Sequence, residues 1–176
     1  MKKALMSHSR TRRSSLTFSI PVIVFQLAAM EAVAQNDQRS DPGYAWVTAG
    51  LGLGTGGFAG VLGFDILNRQ HLVSFRGLGL SEVFGDNFWD LGVLFGRARR
   101  SSRSLLAASA GLAIMGGETC ISGCAVLHKR VSFPLGVRAA WHPASFLGLG
   151  IYGFANFNSV QSFAGGVVTI EIGHLH

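Results

Sequence analysis

Between Val131 and His142 the chain alternates strictly. Val131, Phe133, Leu135, Val137, Ala139 and Trp141 are apolar; Ser132, Pro134, Gly136, Arg138, Ala140 and His142 are small or polar. Successive side chains on a strand point to opposite faces, so this period predicts a ribbon with one oily face and one small, polar face. The pattern recurs. Trp89, Leu91, Val93 and Phe95 oppose Asp90, Gly92, Leu94 and Gly96. Phe58, Leu62, Phe64 and Ile66 oppose Ala59, Gly63 and Asp65; Val73 and Phe75 oppose Ser74 and Arg76; Val168, Ile170 and Ile172 oppose Thr169 and Glu171. Eight strands are predicted, over about 44–54, 57–67, 71–80, 87–98, 104–115, 129–142, 145–156 and 163–175. The first, fifth and seventh alternate less cleanly because Gly and Ala occupy one or both faces. Connections at Asn68 to Gln70, Arg99 to Arg103 and Pro143-Ala144 are short and polar. Those at Ser81 to Asp86, Gly116 to His128 and Phe157 to Ser162 are mostly longer.

Alternation alone does not say which face is inside. A soluble sandwich or barrel turns its apolar face inward and must then wet the other face. Here that other face is mostly Gly, Ala and Ser rather than Lys and Glu, a poor surface for water. Charged residues make up 14% and hydrophobic residues 48%, against about 25% charged in an ordinary soluble protein. No apolar run approaches the roughly 18 residues of a membrane-spanning helix. The pattern therefore predicts an all-β, eight-stranded antiparallel up-and-down transmembrane barrel over residues 44–176, with its oily face to lipid and its polar face lining a narrow lumen. A soluble exported β-protein is the alternative.

The formal net charge of +6 misleads. Lys2, Lys3, Arg10, Arg12 and Arg13 precede an apolar stretch from Leu16 to Ala29 and a small-x-small Ala32-Val33-Ala34. That order predicts a secretory signal peptide over residues 1–34, cleaved after Ala34. Without it ten bases face eight acids, a balance of +2 that is no nucleic-acid footprint. Residues 35–43 are polar and rich in turn formers, a short flexible lead-in.

Five charged residues fall on the inward parity: Asp65, Arg76, Asp90, Arg138 and Glu171. An eight-stranded barrel is about wide enough to be filled by side chains, so these groups must pair. A turn about Val83 sets Arg76 opposite Asp90. A turn about Gln70-His71 sets Asp65 opposite Arg76, whereas one about Asn68-Arg69 moves Asp65 away. Arg138 and Glu171 are placed to meet across the lumen. The expected result is a plugged barrel. The aromatics Tyr44, Trp46, Trp89, Trp141, Phe146 and Phe157 fall near segment ends, where rings belong at the two lipid–water boundaries.

Cys120 and Cys124 share the longest loop and, in an exported chain, read as a disulfide, with free thiols the alternative. A metal site with His128 would lack a fourth ligand, and no metal or cofactor is expected. His71, His142, His174 and His176 fall at one predicted end and read as solvated or interfacial. His142 and Ser145 are the nearest thing to a nucleophile and its base, but the sequence sets no acid beside them, and no catalytic residue is expected. Gly50-x-Gly52-x-Gly54 precedes no helix and carries no Lys, so it is no phosphate cradle.

Signal peptide, eight alternating segments, end-placed aromatics and a last strand running to the C-terminus together resemble a small outer-membrane barrel of the OmpA/OmpX type. The resemblance implies residence in the outer membrane, contact with its lipid, insertion by the outer-membrane assembly machinery and both termini in the periplasm. Such barrels usually end in an aromatic residue; this chain ends Gly173-His174-Leu175-His176. A structural or surface-interaction role without enzymatic activity is expected. A lipid-modifying enzyme, which the same barrel size also supports, is the alternative.

Overall fold

The computed structural model describes residues 43–82, 87–119, 125–159 and 162–175. Eight strands follow one another: β1 Tyr44–Gly54, β2 Gly57–Asn68, β3 His71–Glu82, β4 Asn87–Arg100, β5 Ser104–Thr119, β6 Ala125–Ala144, β7 Leu147–Phe157 and β8 Phe163–His174. Each pairs antiparallel with its neighbours in sequence, and β1 pairs with β8, so the sheet closes into a barrel. Closure satisfies every strand edge without a covering helix. Among the described residues no helix is long and apolar enough to cross a membrane. The predicted signal peptide, nearly all of the lead-in, and Cys120 and Cys124 lie outside the described residues.

The strands form where the alternation predicts, and the faces divide as it predicts. Leu51, Phe58, Leu62, Leu91, Phe95, Val137, Ile151 and Val168 are exposed, while Asp65, Arg76, Asp90, Arg138 and Glu171 are buried. The molecule is thus oily outside and charged inside, the reverse of a soluble barrel.

Two features depart from the pattern. The stretch Gly116 to His128, expected as a loop, is mostly strand: β5 runs to Thr119 and β6 begins at Ala125. A register shift sets Met115 to Gly117, two residues apart, against Arg130 to Leu127, three apart, so the extra residue lies on β6 and pairing resumes beyond it. Gly116 is needed there, because a Cβ would fall 2.7 Å from Cζ2 of the Trp89 ring that lies over it. The connection between β1 and β2 is only Thr55-Gly56, with Gly56 at φ 88°. One of the connections away from the chain termini is therefore tight.

The interior has three layers. At the end where β1 begins and β8 finishes, Tyr44, Trp46, Leu67, Leu72, Leu105 and Leu175 form one apolar cluster. At the far end, Val61, Leu78, Leu80, Phe88, Phe154 and Phe163 belong to another. The charged residues lie between them.

Two aromatic expectations are corrected here. Tyr44 and Trp46 do not face outward; Trp46 is 2% exposed. Val47 pairs with Phe64 on one side and Ile172 on the other, and all three point outward, so the intervening residues of β1 must point in. Ala98, Ala107 and Ala140 leave the room that the two rings fill. Trp89, Trp141, Phe146 and Phe157 are exposed on the outer surface, the first and last toward the far end and the other two toward the termini.

Candidate functional site

Among the described residues the central layer gathers the buried ionisable side chains. It is built by inward positions of seven of the eight strands. Asp90 on β4 and Arg76 on β3 form an ion pair: Arg76 Nη2 lies 2.5 Å and Nε 3.3 Å from the carboxylate. Asn156 on β7 donates to the same carboxylate at 2.7 Å. Arg76 Nη1 donates to Tyr152 Oη at 3.1 Å. A second group surrounds Arg138 on β6. Its Nη1 lies 2.8 Å from Asp65 Oδ2 and 3.5 Å from Glu171 Oε1. Thr48 Oγ1 donates to Asp65 at 2.8 Å, and Ser74 Oγ donates to its other oxygen. His142 Nε2 lies 3.1 Å from Glu171 Oε2. Tyr152 joins the groups, because its hydroxyl accepts from Arg76 while the Arg138 guanidinium carbon sits 5.3 Å over its ring.

Small residues on the inward face make room for these long side chains. A Cβ on Gly136 would lie 2.4 Å from Tyr152 Oη, and one on Gly148 would lie 2.6 Å from His142 Cδ2 and 3.1 Å from Glu171 Oε2. The Gly-rich polar face read from the sequence is therefore the receptacle for the ions, not a bare lining.

The register differs from the sequence expectation. Arg76 stands opposite Gly92, not Asp90, and reaches Asp90 diagonally along β4. Asp65 stands opposite Ser74, because the β2–β3 turn is Arg69-Gln70. It pairs with Arg138 across the lumen instead of with Arg76. The guanidinium is long enough to cross what the strand register leaves apart. Asp65, Asp90 and Glu171 all have no solvent exposure, so each carboxylate depends wholly on protein partners or internal solvent.

His142 is corrected too. It is neither solvated nor interfacial but buried, and β8 places Glu171 beside it, an acid that the sequence did not show nearby. Ser145, by contrast, is exposed in the β6–β7 turn. The His142–Glu171 pair lies inside the barrel beneath an apolar cluster, where the ring faces the carboxylate at 3.1 Å. Thr48, Ser74, Tyr152 and Asn156 are also partners that charge alone did not flag. Their inward parity is the one sequence signal that marks them. Polar capacity remains: Asn156 Oδ1, His142 Nδ1 and Thr169 Oγ1 are buried without a protein hydrogen-bond partner. Among the described residues no three metal-ligating side chains converge.

A closed, up-and-down eight-stranded antiparallel barrel, apolar outside and charged within, is the fold of the small outer-membrane barrels. Among solved structures the chain is similar to Neisserial surface protein A, at TM-score 0.60 and 8% identity over 74% of this chain and 96% of that one. It is also similar to the N-terminal β-barrel domain of Pseudomonas aeruginosa OprF, at TM-score 0.56 and 10% identity over 74% of this chain and 96% of that one. No protein-family model matches the chain, and no curated protein matches its sequence. The likeness is one of fold.

Proposed function

We propose that the protein is an outer-membrane barrel that spans the bilayer with a sealed lumen and serves a structural or surface-interaction role rather than an enzymatic one. The observation that carries this reading is the inversion of polarity. Large apolar side chains cover the outside and all five lumen charges are buried. Water solvates such a surface poorly, whereas a bilayer matches it. In this reading the exported chain is cleaved at its signal peptide, is inserted by the outer-membrane assembly machinery, and rests with Trp89, Trp141, Phe146 and Phe157 at the two boundaries.

The seal rests on the layering. Ions crossing the lumen would have to break the Arg76–Asp90 and Arg138–Asp65 pairs and pass an apolar cluster on either side. The test has two parts. The mature chain should fractionate with outer membranes and migrate differently on a gel with and without boiling. In planar bilayers the purified protein should show no stable open conductance. Extraction from membranes without detergent defeats the membrane reading. Steady channels that persist unchanged in Arg76→Ala defeat the plug.

A further inference from the structure

The rim at the termini end is chemically divided. On the β6–β7 side it carries Trp141 and Phe146, both exposed. On the side of β2 to β5 it carries arginines. Arg69 occupies the β2–β3 turn, Arg97 and Arg99 lie near the end of β4, and Arg103 lies in the β4–β5 turn. Arg69, Arg99 and Arg103 are exposed. The β2–β3 turn is tied to β4, where Ala98 N donates to Gln70 O at 2.9 Å, and the β4–β5 turn is closed by Ser101 N donating to Ser104 O at 2.8 Å. Ser101 and Ser102 place two exposed hydroxyls among the guanidiniums. Among the described residues no exposed carboxylate stands at this rim. Asp65, Asp90 and Glu171 are buried in the lumen, and Glu118 pairs with Asn87 at the far end.

The position of these arginines relative to the apolar belt points to their ligand. Phe95 and Leu106 are exposed on the outer face. Arg97 and Arg99 continue the same face of β4 beyond Phe95, and Arg99 stands opposite Leu106. Each two-residue step advances about 7 Å along a strand, and neighbouring strands lie about 5 Å apart. The guanidiniums thus form a group immediately past the end of the oily surface, at the depth where a bilayer presents its phosphates. Guanidinium forks and hydroxyls are the donors that phosphate oxygens accept from best.

We propose that Arg69, Arg99 and Arg103, with Ser101 and Ser102, bind the phosphate headgroups of anionic phospholipids in the leaflet at the termini end. The proposal rests on the membrane reading above. It assigns that reading a lipid class and a sector of the rim.

The test refolds the full mature chain into bilayers of phosphatidylcholine mixed with phosphatidylglycerol. Retained lipids are then counted by native mass spectrometry after mild detergent exposure. Heat-modifiable migration is scored first. A chain that does not fold in these bilayers overturns the membrane reading and this inference with it. In folded wild-type protein we expect phosphatidylglycerol to be retained about tenfold over phosphatidylcholine, the effect of one to two basic residues at a charged surface. The triple variant R69Q/R99Q/R103Q should fall to near parity while its migration is unchanged. K129Q/R130Q, at the opposite end, should keep the preference. Raising salt from about 0.05 to about 0.5 M should erase it in the wild type, a readout independent of how the triple variant folds. Equal retention of the two lipids by wild type overturns the proposal. So does a preference that survives in the triple variant, or one that disappears in K129Q/R130Q instead. Tight binding of a polyglutamate peptide alongside equal lipid retention would assign the sector to an acidic protein and likewise overturn it.

Discussion

Replacing Arg76 with Met removes the guanidinium beside Asp90 and keeps most of the side-chain volume. The Asp90 carboxylate is fully buried and is bonded by Arg76 Nη2 at 2.5 Å, Arg76 Nε at 3.3 Å and Asn156 Nδ2 at 2.7 Å. After the substitution only the Asn156 bond remains, and Tyr152 Oη loses its donor. Breaking one side of a buried ion pair costs ~3–5 kcal/mol. The surviving amide bond offsets about 1 kcal/mol of that, so a loss of ~2–4 kcal/mol is expected. The assay is urea unfolding of the protein in lipid vesicles, followed by tryptophan fluorescence. With a urea dependence of about 1–3 kcal/mol/M, the midpoint should fall by on the order of 1–2 M. The double variant Arg76→Met/Asp90→Leu removes both charges. It should recover part of the loss, because an uncompensated buried carboxylate is worse than no carboxylate. A single variant that loses less than about 1 kcal/mol would show that water, not Arg76, satisfies Asp90. A double variant less stable than the single would refute the ion-pair argument outright.

Other expectations follow from the same geometry. Leu135→Arg puts a charge on the outward face in the middle of β6 and should cost ~2–4 kcal/mol in bilayers, whereas Phe146→Arg at the turn should lose only ~0–1 kcal/mol to its charge; equal costs would show that the depth assignment is wrong. Gly136→Ala forces a methyl to 2.4 Å from Tyr152 Oη and should destabilise by ~1–3 kcal/mol through overpacking. Gly166→Ala, with nothing within 4 Å of its Cβ, should be near neutral, and the reverse order in a urea titration would contradict the packing described here. Cys120 and Cys124 should resist alkylation in the native protein until a reductant is added; rapid labelling of both thiols would exclude the bridge.

Parity was legible in the sequence, because a strand has a period of two and the chain keeps it. Val131 to His142 shows this best, and the same arithmetic put Asp65, Arg76, Asp90, Arg138 and Glu171 inside. Glycine misled at Gly116-Gly117: both pair in register with Trp89 and Phe88 of β4, so the ladder runs on through residues that read as a loop end. Register was not legible. Moving the β2–β3 turn by one residue shifts the facing partner of Asp65 by two, from Arg76 to Ser74, and leaves every side chain on the same face. Hydrophobic pattern cannot distinguish such states, because both bury the same atoms. Tyr44 and Trp46 escaped for a related reason: rings at a strand end are apolar enough for either face, and the outward packing of Val47 between Phe64 and Ile172 decides the matter. The Arg138–Asp65 and His142–Glu171 contacts join β6 to β2 and β8, strands that share no ladder. Local sequence carries the parity of each strand. Only closure of the barrel determines which inward side chains meet across the lumen, because that depends on the stagger of all eight strands at once.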